Sequence, residues 1–176
     1  MTRRPPVVIG IAAPSGTGKT TLLKQLIPLL RQRGLRVGVI KRTHHDVEVD
    51  RPGKDSHTLR RAGASPVMLS SPLRRVVISE HAERREPALE DDLAGFPRDQ
   101  ADLILVEGAR SAAIPKIELH RPDLGLAPLF PGDSCVIAVA TDDPGFDSGG
   151  LPRLDLNLPQ AVADFLLDYL ARRDAP

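Results

Sequence analysis

Apolar positions along this chain fall into short unbroken runs and longer helical stripes, and the two alternate. Val7–Ala12 is a continuous apolar run, the pattern of a strand buried on both faces of a sheet. Lys19–Arg33 carries Leu22, Leu23, Leu26, Ile27, Leu29 and Leu30 at helical spacing, and Gly34 closes it. Pro28 lies inside that stretch without a backbone donor, which predicts a kink. Arg36–Ile40 predicts a second strand, and residues 42–56 a long polar loop. Lys54–Ala62 predicts a helix that buries Leu59 and Ala62. Pro66–Ser70 and Val76–Ser79 predict the two strands of a hairpin. Leu89, Leu93 and Phe96 mark a short surface helix, opened by Pro87 and ended by Gly95 and Pro97. Leu103–Val106 and Val136–Ala140 are further apolar strands. Lys116–His120 alternates apolar and polar residues, which predicts a half-exposed strand near a sheet edge that pairs with its twin in a homodimer. Leu158–Arg172 predicts a closing amphipathic helix with Val162, Phe165, Leu166, Tyr169 and Leu170 on one face. Strands alternating with helices predict a single α/β domain over residues 1–176, with a mostly parallel, doubly wound sheet and helices on both faces.

Composition changes this picture little. Aromatic residues supply 3% of the 176, so the core must be built from Leu, Ile, Val and Ala. Lys and Arg number 24 against 23 Asp and Glu, and the resulting net charge of +1 excludes a whole-molecule field that draws the chain to nucleic acid or a membrane. The basic Thr2–Arg4 arm is too short to reverse that and reads as a solvated terminus. Cys135 is the one cysteine, so no disulfide forms within the chain; it reads as a buried structural thiol. No apolar run is long enough to cross a bilayer, and the expected location is cytoplasmic.

The candidate chemistry begins at Ala13-Pro-Ser-Gly-Thr-Gly-Lys-Thr20, between an apolar strand and a helix. This is the phosphate-loop pattern, with Ala13 where glycine is usual, and it makes the predicted architecture a three-layer P-loop NTPase fold. Small residues let backbone N–H groups converge on an anion at the positive end of the helix. Ser15, Gly16, Thr17, Gly18, Lys19, Thr20 and Thr21 are the candidate phosphate-binding residues. Lys19 reaches the β and γ phosphates, and the Thr20 hydroxyl is a magnesium ligand. A second signal is Asp102-Leu-Ile-Leu-Val-Glu107-Gly108, an apolar strand ending in a carboxylate. Glu107 is there the candidate Walker B acid, holding magnesium, and with Lys19 the candidate catalytic pair. Asp102 opens the same strand at the opposite end of the sheet and reads as structural. A third signal is the loop from Lys41-Arg-Thr-His-His-Asp46 to Asp50-Arg-Pro-Gly-Lys-Asp55. In a switch-like reading Asp50 or Asp55 assists magnesium, while Lys41, Arg42, His44 and Lys54 meet anionic groups. The usual Asn-Lys-x-Asp guanine clamp is absent from the sequence. Thr141-Asp142-Asp143 follows a strand, and the carboxylate of Asp142 or Asp143 is the candidate acceptor for guanine N1–H and N2–H₂.

Together the segments APSGTGKTTL, KRTHHDVEVDRPGKDSHTLRRAGA, LILVEG and PKIELHR resemble the molybdopterin-guanine dinucleotide biosynthesis adaptor family, the MobB family, in order from Val7 to about Ala140. The resemblance implies a homodimeric protein that binds GTP with Mg2+ and is at most a weak magnesium-dependent GTPase. It implies as partner the guanylyltransferase that joins GMP to molybdopterin, with molybdopterin itself as a further candidate. One departure is Ala109-Arg110 after the Val-Glu-Gly run, where the family often has an aromatic. The alternative from another class is an ATP-dependent small-molecule kinase or ligase of dethiobiotin-synthetase-like architecture, which would need an acceptor pocket and a lid. A scaffold holding a metal through His44, His45 and His57 ranks last, because no cysteine pair supports it.

Overall fold

The computed structural model describes residues 4–43, 45–86 and 88–174; Thr2, Arg3, His44 and Pro87, which figure in the expectations above, lie outside them. The chain divides into two compact units, one built from residues up to Arg42 and from Ala88 onward, the other from residues 43–87.

The larger unit is a six-stranded sheet. Its strands are β1 (Val7–Ala12), β2 (Val37–Lys41), β5 (Leu103–Glu107), β6 (Lys116–His120), β7 (Val136–Thr141) and β8 (Arg153–Asp155), in the spatial order β2-β5-β1-β6-β7-β8. All its neighbouring pairs run parallel. Period-two alternation sorts each strand's side chains to two faces. Ile9, Ile11, Leu103, Leu105, Ile117, Leu119, Ala138 and Ala140 pack on one face with α1 (Lys19–Gln32) and α4 (Pro159–Asp174), through Leu22, Leu26, Leu30, Val162 and Leu166. Ile104 and Val106 face the other side, where α3 (Leu89–Gly95) adds Leu89 and Leu93, and Phe96 follows directly after it. Helices therefore cover both faces, as the doubly wound expectation requires. The α1 helix runs on through Pro28 to Gln32, because the first β-strand and the phosphate loop dictate a helix here and its buried leucines outweigh one lost backbone bond.

Two sheet expectations need correction. Lys116–His120 is no edge strand: it lies between β1 and β7, and all five residues are buried. With both sides hydrogen-bonded inside the sheet, it has no free edge for pairing with a second copy. The edge strands are instead β2 and β8, the latter three residues that the apolar pattern did not reveal. Its polar face explains the misreading. The Glu118 carboxylate accepts the backbone N–H of Leu129 at 2.6 Å and of Phe130 at 2.9 Å. The Lys116 ammonium donates to Asp133 at 2.7 Å and to the Arg110 carbonyl at 3.1 Å. His120 stacks against Phe146 with ring centroids 4.4 Å apart, and its Nε2 lies 3.2 Å from the Leu126 carbonyl. Three polar side chains thus staple the segment after β6 over the sheet. Cys135, in that segment, is half-buried and not buried outright.

At the other end of the sheet Asp102 clamps Arg36, receiving its Nε at 3.0 Å, Nη2 at 2.7 Å and backbone N–H at 2.9 Å. These bonds hold the start of β2 against the start of β5 and raise the affinity of Arg36 for its proton.

The smaller unit holds α2 (Asp55–Arg61) and an antiparallel hairpin, β3 (Val67–Ser70) with β4 (Arg75–Ile78). Here too one expectation fails: Leu59 and Ala62 are exposed, and the buried residue of α2 is Ser56. Ser56 donates to Asp50 Oδ1 at 3.1 Å, and Asp50 Oδ2 lies 3.6 Å from Arg60 Nε. Arg60 also pairs with Glu48 and Glu80, so the helix docks through polar contacts that a hydrophobic pattern cannot signal.

Candidate functional site

The site forms at the carboxyl ends of the central strands, where doubly wound sheets gather loops. β1 ends at Ala12, and the chain turns through residues 13–18 into α1. Gly16 and Gly18 hold φ of 83° and 100°, the left-handed region that a side chain resists. Gly18 caps the helix, and its carbonyl starts the helical ladder by accepting the N–H of Leu22 at 2.9 Å. Thr17, 1% exposed, fixes the loop from within by donating its hydroxyl to the Pro14 carbonyl at 3.0 Å. Lys19 folds back over the loop and donates to the carbonyls of Ala13 at 2.9 Å and Pro14 at 2.8 Å. Partial burial lowers its pKa below the usual lysine value, Glu107 opposes that shift, and Lys41 adds to it.

Strand pairing brings the acid to this loop. Glu107 is in register with Ile11 of β1 on one side and Lys41 of β2 on the other. Its Oε1 accepts the Thr20 hydroxyl at 3.2 Å and lies 3.6 Å from Lys41 Nζ. The two candidate magnesium ligands, 87 positions apart in sequence, are therefore in direct contact. Gly108 makes this possible. It has a φ of 87°, and a Cβ there would stand 2.7 Å from the Arg42 carbonyl oxygen. Gly108→Ala is expected to destabilise the protein by roughly 2–5 kcal/mol, summing left-handed strain and overpacking against backbone. A thermal melt should show a midpoint lowered by about 4–20 °C, and an unchanged midpoint would contradict the tight approach.

Of the remaining predicted residues, Ser15 and Gly16 are exposed on the loop, Thr20 is exposed in the first turn of α1, and Thr21 lines a cleft with Gly18, Gln25, Arg121, Asn157 and Pro159. Asp142 follows β7 and ion-pairs with Arg121, while Asp143 turns back to accept the Gly145 N–H at 2.8 Å. Asp50 and Asp55 belong to the smaller unit. Asp50 is buried and engaged by Ser56 and the Arg51 N–H, whereas Asp55 is exposed in the first turn of α2. Arg121 carried no assigned role in the sequence. It is the first residue after β6, and its Nε donates to the Thr17 carbonyl at 3.0 Å. The available signal is its place at a strand's carboxyl end, which the edge-strand pattern of Lys116–His120 obscures. Among the described residues no helix is long and apolar enough to cross a membrane.

The sequence profile of the family "Molybdopterin guanine dinucleotide synthesis protein B" matches residues 8–142. The chain is 43% identical over 169 residues to the molybdopterin-guanine dinucleotide biosynthesis adapter protein of Escherichia coli (strain K12), covering 95% of each. It is 43% identical over 164 residues to the protein of the same description from Haemophilus influenzae, covering 93% of this chain and 89% of that one. Its fold matches the crystal structure of a molybdopterin-guanine biosynthesis protein B with a TM-score of 0.72 at 27% identity, over 94% of this chain and 99% of that one. With that profile spanning residues 8–142 and two relatives 43% identical over most of their length, the chain belongs to the MobB family.

Proposed function

We propose that this chain is a GTP-binding adaptor: it holds GTP with magnesium at the loop of residues 13–21 and assists the guanylyltransferase that joins GMP to molybdopterin. One observation carries the reading. The Thr20 hydroxyl and the buried Glu107 carboxylate meet at 3.2 Å beside a glycine-shaped loop that opens a helix. A hydroxyl and a carboxylate converging there fit a phosphate-bound magnesium ion, which prefers oxygen ligands and would neutralise phosphate charge. Ser15 to Thr21 would supply the cradle and Lys19 the cation. The relatives' description as adapter proteins of molybdopterin-guanine dinucleotide biosynthesis supports the biological setting.

Slow hydrolysis is part of the proposal. Glu107 already serves Thr20 and Lys41, so it is a charge partner and not a free base for an attacking water. Of the candidates for a second magnesium carboxylate, Asp55 has the exposed side chain, while Asp50 is committed to Ser56 and Arg60. Asp142 remains the candidate guanine acceptor, tied to the phosphate loop through Arg121. A second copy of the chain stays in the proposal as a partner, by a route other than β6.

The test is calorimetric titration with non-hydrolysable GTP and ATP analogues, with and without magnesium. The expected result is magnesium-dependent binding that favours GTP by about tenfold or more, with Glu107→Gln losing the magnesium enhancement. A preference for ATP would overturn the GTP reading and favour a kinase or ligase.

A further inference from the structure

We infer that Arg121 is a positioning residue for the phosphate loop: it fixes the Thr17–Gly18 peptide so that its N–H faces the anion site. The inference rests on the nucleotide reading only in that it concerns the same loop. Arg121 Nε donates to the Thr17 carbonyl at 3.0 Å, from a residue 104 positions away in sequence. Its Nη1 pairs with the Asp142 carboxylate, and its Nη2 is 3.9 Å from where a Cβ on Gly18 would stand. The guanidinium therefore bridges the loop and the residue after β7, with Nε on the Thr17 carbonyl and Nη1 on Asp142.

Peptide planarity turns that grip into a direction. In a trans peptide the C=O of one residue and the N–H of the next point opposite ways. A donor that holds the Thr17 oxygen on one side thus fixes the Gly18 N–H pointing to the opposite side, away from Arg121. Gly18 is the residue that most needs such control, since its φ of 100° belongs to a residue with several accessible conformations. Thr17's own side chain is already spent on Pro14, so the peptide that follows it has Arg121 as its side-chain anchor. A planar fork can serve Thr17 and Asp142 at once, whereas a lysine ammonium on a flexible stem has no fixed second arm. The pair also links the carboxylate proposed to accept guanine with the peptide proposed to bind phosphate.

The experiment titrates two probes in the presence of magnesium: a non-hydrolysable GTP analogue and inorganic tripolyphosphate, which has no base or ribose. Arg121→Ala is expected to weaken both probes by the same factor, about tenfold, and Arg121→Lys to behave like Arg121→Ala. Asp142→Asn, which leaves Arg121 in place but weakens one anchor, is expected to weaken tripolyphosphate by about threefold and serves if the Arg121 variants fail to fold. Loss confined to the GTP analogue would overturn the inference and make Arg121 a base or ribose contact. Full rescue by lysine would overturn it in favour of simple charge, and unchanged tripolyphosphate affinity in all three variants would also overturn it. Wild-type protein that binds neither probe would instead sink the nucleotide reading itself, and this inference with it.

Discussion

Lys19→Met is expected to abolish nucleotide binding while leaving the melting temperature of the nucleotide-free protein at or above that of the wild type. The binding loss follows from the hydrogen bonds that an ammonium makes to phosphate oxygens. Two charge-assisted bonds of about 1.5–3 kcal/mol each correspond to an affinity lower by roughly 10²–10⁴-fold. The stability side follows from burial. The folded state holds Lys19's proton less tightly than the unfolded chain does, with burial the largest cause, Glu107 opposing it and Lys41 reinforcing it. Between the lowered folded pKa and the ordinary lysine value, the unfolded chain binds more protons, so stability rises with pH across that window. Below the window, at neutral pH, the whole deficit is present, and methionine removes it. Above the window the lysine is neutral in both states, and the advantage of methionine disappears. Melts of both proteins at neutral pH and at a pH above the ordinary lysine value measure this directly. A variant that melts well below wild type at neutral pH would show that the bonds to Ala13 and Pro14 outweigh the burial.

Much of this site was legible because its parts are local. The phosphate loop, the strand before it and the helix after it occupy residues 7–32, and small residues, an apolar run and a leucine stripe each signal them within a few positions. Glu107 was legible for the same reason, as the polar end of an apolar strand. What stayed hidden depends on partners distant in sequence. Arg121 is defined by a carbonyl 104 positions away, and no periodicity records that. Alternation in Lys116–His120 gave the right secondary structure and the wrong place, because it was read as one wet face. The polar face is in fact buried, with Glu118 held by backbone groups of residues 129–130 and Lys116 by Asp133. The unit formed by residues 43–87 was hidden in another way. Its helix docks through Ser56, Asp50 and Arg60 and leaves Leu59 exposed, so its buried contacts are polar and its apolar residues misdirect.

Glu118→Ala is expected to be the most destabilising single change outside the apolar core. Glu118 is 2% exposed, and its two carboxylate oxygens receive the N–H groups of Leu129 and Phe130. Removing the carboxylate strands two backbone donors and leaves a void beneath the segment. Hydrogen bonds to a charged group contribute about 1.5–3 kcal/mol each, so the expected loss is roughly 3–6 kcal/mol. For a chain of this length that lowers the melting midpoint by about 6–24 °C. Glu118→Gln should fall between, since its amide can accept from one N–H but presents a donor to the other. The damage should also be local before it is global. Amide exchange at Leu129 and Phe130 should accelerate most, because their acceptor is gone, while β1 and β5 on the far side of β6 keep their protection. The same segment starts with Arg121 and includes Asp133, the partner of buried Lys116. Loosening it should therefore weaken nucleotide binding as well, although Glu118 touches no residue of the phosphate loop in its hydrogen bonding. If Glu118→Ala melted within about 2 °C of wild type, the carboxylate would not be the staple, and burial of this strand's polar face would need another source.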